Sequence, residues 1–213
     1  MNQEEKAQIS KNRIIKAATL EFSIRNYDTA SLNNICNESD ISKGLIYHYF
    51  GNKEELYLSC VKACFKKITE FLSEEIYDFS DFQSGMKQYL ARRFLFFRTH
   101  IQEGHLFLYA VLQPPQSLQQ PILKLKEDFD AQCLFYYKTA LSSVTLREGV
   151  TEQLALEYFV LFQELFNGYF QRYAGANLNA EALMKEHEAQ LSNVLQLMLY
   201  GIAKEEKNDH VIV

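Results

Sequence analysis

Apolar residues recur along this chain three and four positions apart, the spacing that gives a helix one buried face. Ile14, Ala17, Ala18, Leu20 and Phe22 make most of one stripe and predict a first helix over about 11–25. Asn26 follows where the chain is expected to turn left-handed, a conformation asparagine tolerates. Leu32, Ile35 and Cys36 repeat the spacing over 32–39, and Ser31 is placed to cap that helix. Asp40 and Ile41 form a turn, and Ser42 opens a third, short helix. Asn52 and Glu55 stand at capping-box spacing, so a fourth helix is expected from about 53 to 76. The polar stretch 77–84 is the first plausible break.

Five more helices are expected beyond it, over about 82–100, 106–113, 120–142, 151–173 and 180–204. Pro114-Pro115 ends the second of these, because neither residue can continue a helix. Gly149, Gly175 and Asn177-Leu178-Asn179 mark turns, and Val211-Ile212-Val213 is too short to assign. With only 3 prolines and 8 glycines in 213 residues, the expected fold is all-α with about nine helices. Hydrophobic residues at 47% and charged residues at 23% describe ordinary globular material. No apolar run approaches the roughly 20 residues that span a bilayer. The first six residues lack the blocks of a signal peptide, so no membrane association and a cytoplasmic location are expected. Cys36, Cys60, Cys64 and Cys133 show no disulfide spacing, which suits reduced thiols.

The chemistry is densest at 42–50, Ser-Lys-Gly-Leu-Ile-Tyr-His-Tyr-Phe. Lys43 supplies a cation for a phosphate or a guanine edge, and Gly44 allows close approach to a duplex. Tyr47, His48 and Tyr49 carry hydrogen-bonding tips on rings that can cover sugar. Leu45, Ile46 and Phe50 remain to hold the helix on its domain. Helix, turn and second helix then form a helix-turn-helix with the recognition element second. Lys53, at the N-terminus of the next helix, could meet a phosphate together with the exposed amides. The net charge of -5 argues against a general nucleic-acid binder, although a small basic face can act on an acidic protein.

From Arg13 to Leu56 the chain resembles the tetracycline-repressor (TetR) family of bacterial transcription regulators. The strongest likeness is Ile41-Ser42-Lys43-Gly44-Leu45-Ile46-Tyr47-His48-Tyr49-Phe50 followed by Asn52-Lys53-Glu54-Glu55-Leu56. Ile15, Ala17-Ala18, Phe22, Tyr27, Ser31 and Ile35 extend it. Asn26 and Asp40 stand where the family usually has glycine, and Cys36 where it has alanine. The resemblance implies a DNA-binding domain over 1–53 and a ligand-binding and dimerisation domain over 54–213. It further implies a homodimer that represses from a duplex operator and is released by a small molecule. DNA-contacting candidates are Ser31, Asn33, Ser42, Lys43, Gly44, Tyr47, His48, Tyr49 and Lys53. The alternative is a helical carrier or sensor whose head binds no specific DNA.

The C-terminal part must be read from its own residues. The chain holds 16 Phe, 13 Tyr and no Trp, and many of the rings fall in the later helices. On 151–173, Phe159, Phe162, Phe166, Tyr169, Phe170 and Tyr173 form one side, with Leu161, Leu165, Gly168 and Arg172 on another. Core packing accounts for any single ring. Their sum suits a cavity for a hydrophobic or aromatic ligand, with Phe97, Phe107, Phe129, Cys133, Tyr136, Tyr137, Phe162, Phe166 and Tyr169 as candidates. Glu103 and Glu164 could answer a cationic group. Gly168 suggests a close helix crossing, within the chain or between two copies. Leu165, Gly168, Arg172, Leu191, Val194, Leu195 and Met198 are the candidate dimer residues, and Leu183 and His187 continue the last helix's stripe. Cys60 and Cys64 share a helix face and read as small buried residues, with a redox or metal sensor as the sharper alternative. His100, His105 and Cys133 have no recognised metal spacing. No Ser/His/Asp order, metal motif or phosphate loop is found, so an enzyme and a bound cofactor are not expected.

Overall fold

The structure, a computed structural model, describes residues 2–174 and 180–202. Among these it contains nine α-helices and one 3₁₀ turn. Helix α1 (Gln3–Ile24) starts earlier than the apolar stripe implies, because Asn2 and Glu5 form a reciprocal capping box. Arg25 beyond it is extended and Asn26 is not left-handed, contrary to expectation. Asn26 instead organises the loop: its carbonyl accepts from Ala30 N at 3.0 Å and its side chain from the Thr29 hydroxyl at 3.0 Å. Helix α2 (Leu32–Ser39) and helix α3 (Lys43–Tyr49) follow, capped by Ser31 and Ser42. Asn52 caps α4 (Lys53–Ser73), which stops short of Ile76. Ile76 is exposed, whereas Tyr77 turns inward and its hydroxyl donates to the Leu72 carbonyl at 2.7 Å.

Asp81 caps α5 (Phe82–Thr99). Gly85 in its first turn lies against Phe79, where any Cβ would collide with the ring. Helix α6 (Ile101–Leu112) begins directly after His100, earlier than expected and without a side-chain cap. After Pro114-Pro115 a 3₁₀ turn (Gln116–Leu118) leads into α7 (Gln119–Leu141), whose first turn accommodates Pro121. Then come α8 (Glu152–Ala174) and α9 (Ala180–Ile202). The turns expected at Gly175 and Asn177-Leu178-Asn179, the Tyr173 side chain and the tail Val211-Ile212-Val213 lie outside the described residues.

Helix α1 packs on α2, α4 and α6, and α3 packs on α2. Helix α4 then runs on against α5, α6 and α7, so one continuous helix joins the N-terminal trio to the rest. Helices α5, α6 and α8 all touch α9. It comes close to α6 at Gly104, where an added Cβ would sit 3.1 Å from the Met184 sulfur. That approach couples α6 to α9 as α1 is coupled to α6.

Candidate nucleic-acid interface and effector core

The N-terminal trio is held together by one buried acid. Glu21, only 1% exposed, accepts from Ser31 N at 2.9 Å and Asn34 Nδ2 at 3.0 Å, and pairs with Arg25 at 2.5 Å. It therefore ties the end of α1 to the start of α2. Ser31 Oγ in turn accepts from Asn33 N at 3.2 Å. Asp40, with φ 53°, supplies the left-handed residue that turns α2 into α3. Phe22, Tyr27 and Tyr57 pack ring against ring and fix α1 and the loop after it to α4. Sequence reasoning missed Glu21, although a glutamate one residue before Phe22 on an inward face is a readable signal.

Helix α3 has two sides. Ile46 is fully buried, Phe50 nearly so and Leu45 half-buried, which anchors it as expected. Ser42, Lys43, Gly44, Tyr47 and His48 are exposed, and the Ser42 hydroxyl accepts from Leu45 N at 3.1 Å. A Cβ built on Gly44 would meet nothing within 4 Å, so its backbone is open to an approaching surface. Lys43 Nζ donates to Asn33 Oδ1 at 3.2 Å, which joins the first turns of α2 and α3 into one polar edge. Tyr49 turns half inward beside His48, with Lys11 5.9 Å from its ring. Lys53 lies 4.7 Å from the centre of the Tyr27 ring. Partial burial lowers its ammonium pKa, against the opposing pull of Asp28 and Glu21. The outer face of α3 is thus built from Lys43, Gly44, Tyr47 and His48, flanked by Ser31, Asn33 and Ser42. Tyr49 and Lys53 stand at its edge.

The expected aromatic cavity is largely filled by its own rings. Phe97, Phe107 and Phe129 are buried, with Phe107 at 5.2 Å from Phe97 and 5.3 Å from Phe129, and Phe107 and Phe129 both meet Phe65. Tyr136 belongs to a separate cluster with Tyr77 and Tyr89, each with its ring centre 5.0 Å away. Tyr137 stacks on Phe159 at 4.0 Å and 7°. Phe162 is half-buried, Tyr169 is exposed, and Phe166 packs on Phe170 and His187. The nine candidates therefore do not share one hollow. The space that Phe107, Phe129 and Phe166 border is about 30 Å³, bounded also by Arg93, Asn167 and His187. A hollow of 640 Å³ does exist, but it is an open groove between α4 and α7 along Leu58, Lys62, Phe65, Lys124 and Leu125.

Polar groups in this half were only partly foreseen. Glu103 is taken by Lys67, in an ion pair from α6 to α4, and Glu164 is exposed. Cys133 lies 3.2 Å from the Tyr89 hydroxyl, and burial raises the pKa of both. Cys60 and Cys64 are buried and donate to the carbonyls of Ile15 and Glu103. Burial pushes the Cys60 thiol up to about 12 and Cys64 higher still, so neither is a reactive thiolate. His100 stacks on Phe96, and His105 hydrogen-bonds the Ser23 backbone, so these two and Cys133 do not converge. Sequence reasoning missed Arg93, which falls four residues from both Tyr89 and Phe97 on an inward face. Its side chain is buried and paired with Glu188 at 3.0 Å.

The dimer candidates divide. Leu191, Leu195 and Met198 are buried among the helices of their own chain, and Leu195 borders one small hollow together with Phe82 and Met86 of α5. Val194 is half-buried beside them. These positions of α9 face inward, a correction to their assignment as a partner stripe. On α8, Leu165 is 64% exposed and Arg172 is exposed. A Cβ on Gly168 would meet nothing within 4 Å, so the glycine serves no helix crossing among the described residues.

Residues 14–60 match the profile of the bacterial regulatory proteins of the tetR family. The biofilm operon icaADBC HTH-type negative transcriptional regulator IcaR of Staphylococcus epidermidis is 32% identical over 113 residues. That match covers 53% of this chain and 58% of the relative's length. The fatty acid degradation regulator FadR from Bacillus halodurans has the same fold, with a TM-score of 0.61 at 16% identity. It covers 88% of this chain and 96% of its own. FadR from Bacillus subtilis, solved in complex with stearoyl-CoA, aligns with a TM-score of 0.56 at 17% identity over 85% and 97% of the two chains. The likeness to the bacterial regulatory proteins of the tetR family lies in the N-terminal helices, and the match spans little more than half the length of the curated relative. Among the described residues, no helix is long and apolar enough to cross a membrane.

Proposed function

We propose that the chain is a ligand-responsive transcriptional repressor that binds duplex DNA as a homodimer. The observation that carries this reading is the two-sided α3: Ile46 and Phe50 hold it in place, while Lys43, Gly44, Tyr47 and His48 are exposed on its outer side. That arrangement suits a short helix laid in a major groove, with Lys43 and the aromatic tips on phosphates and base edges. The negative regulator IcaR supports repression as the sign of the response. The stearoyl-CoA complex of a protein with this fold, and the aromatic interior here, support an effector with an apolar body.

A second copy is expected along α8. Leu154, Tyr158, Leu161 and Leu165 recur at spacings of four, three and four, and each is 45–64% exposed. Gly168 and Arg172 continue the row. An apolar seam of this period suits a partner helix, and an open glycine allows close approach. The carrier reading remains as an outcome of the test.

The test is fluorescence anisotropy on DNA flanking the protein's own gene and on a pool selected from random duplexes, with non-specific competitor present. Tight, salt-sensitive binding that drops at least tenfold in Tyr47→Ala, with an unchanged melting temperature, is the expected result. Undiminished binding in Tyr47→Ala would remove α3 from the interface. No sequence preference in either pool would favour the carrier.

A further inference from the structure

The interior beneath α9 holds a cluster that packing alone does not explain. Arg93 of α5 donates from Nη2 to Glu188 Oε1 at 3.0 Å. His187 Nδ1 meets the same oxygen at 3.0 Å, and His187 Nε2 lies 3.3 Å from Asn167 Oδ1 of α8. The side chains of Arg93, Glu188 and His187 are 8%, 5% and 5% exposed. Replacing such a pair with apolar side chains of similar volume is often neutral or stabilising, so stability gives little reason to keep it.

The guanidinium is moreover incompletely used. Arg93 Nε is buried and has no hydrogen-bond partner. The rings of Phe97, Phe107 and Phe129 lie 5.6–5.8 Å from Cζ, so its neighbours on those sides are apolar. A guanidinium presents a planar fork matched to a carboxylate that accepts at two points, whereas the bond to Glu188 here is made to one oxygen shared with His187. Arg93 and His187 also border the space of about 30 Å³ among Phe107, Phe129 and Phe166.

We infer that Arg93 is the receptor for the carboxylate of an organic-acid effector, with Glu188 holding that place while the site is empty. This rests on the ligand-responsive reading above and names its ligand class. An acid with an apolar body would put its carboxylate on the Arg93 fork and its body among Phe107, Phe129 and Phe166. The space as it stands holds about one water, so the acid must displace Glu188 and with it α9. That displacement has a route to the DNA-binding end. Helix α9 meets α6 at Gly104 and Met184, and α6 packs on α1. The acid binds the displaced arrangement better than the closed one, and that difference drives the change.

The test is calorimetric titration of the full chain with acetate, phenylacetate, 4-phenylbutyrate and octanoate, each against its neutral amide. At least one acid is expected to bind tenfold or more tighter than its amide. Glu188→Gln, which leaves the guanidinium without an anion, should strengthen that acid about tenfold. R93M/E188M, which removes both charges together and so leaves neither unpaired, should lose the preference while keeping a cooperative melt. Equal affinity of every acid and its amide, no binding by any of them, or a preference that survives in R93M/E188M would overturn the inference. The Tyr47→Ala result on DNA is independent of all three, so failure here and failure of the repressor reading are separable.

Discussion

Single residues set the geometry of the N-terminal helices more than composition suggests. Glu21 is a charged side chain at 1% exposure, acceptable because Arg25, Ser31 N and Asn34 surround its oxygens. Hydrogen bonds to an ionised group contribute more than neutral ones, so Glu21→Gln should destabilise the fold by about 1–3 kcal/mol. Urea unfolding of the two proteins checks this, and an unchanged midpoint would mean that the carboxylate holds nothing. Lys43 works at the same scale, because its bond to Asn33 sets the ammonium beside the first turn of α2 before any phosphate arrives.

Between elements, two joints stand out. Asp40 makes the α2–α3 turn with φ 53°, where a side chain strains the backbone unless it is short and polar. Asp40→Gly should keep the fold at least as stable and tighten operator binding, since it removes a negative charge near the phosphates. Asp40→Val should destabilise by about 1–2 kcal/mol. Thermal melts and anisotropy on the same operator separate the two effects. The other joint is the Lys67–Glu103 pair between α4 and α6. Burial raises the Glu103 carboxyl, but Lys67, with a smaller pull from His100, outweighs it and the pKa falls below the ordinary value. A carboxyl lowered by folding contributes stability above its unfolded pKa and loses it as pH falls through the folded value. Stability should therefore drop on acidification below the ordinary glutamate range, and Glu103→Gln should flatten that part of the profile.

For the whole molecule, the expectation concerns assembly. Leu161 and Leu165 sit in the exposed row on α8, and a charge there would have to be buried in a two-copy interface. Leu161→Glu with Leu165→Glu should leave the helical content intact and give a monomer in sedimentation. Operator affinity should fall by about 10²-fold or more, because linked heads gain from effective concentration and separate ones do not. Dimeric sedimentation of that variant would move the interface elsewhere.

Much of this protein follows from local sequence. Ser31, Ser42 and Asn52 cap where their side chains permit, Pro114-Pro115 stops α6, and the apolar spacing around Ile46 sets which side of α3 is anchored. These outcomes depend on residues within a turn or two, so sequence alone determines them. Asn26 shows the limit even there, since its side chain bonded the loop in place of a left-handed turn. What the tertiary structure decided depends on distant neighbours. A stripe on α9 and a row on α8 read alike as apolar periodicity, yet Leu191, Leu195 and Met198 are covered by their own chain and Leu165 is not. Eight aromatic candidates and Cys133 looked like the wall of one cavity, and side-chain packing distributed them among separate clusters. Arg93 and Glu188 lie 95 residues apart, and only the fold of α5 against α9 makes them partners. Periodicity states that a face is buried; what covers it is settled by the rest of the chain.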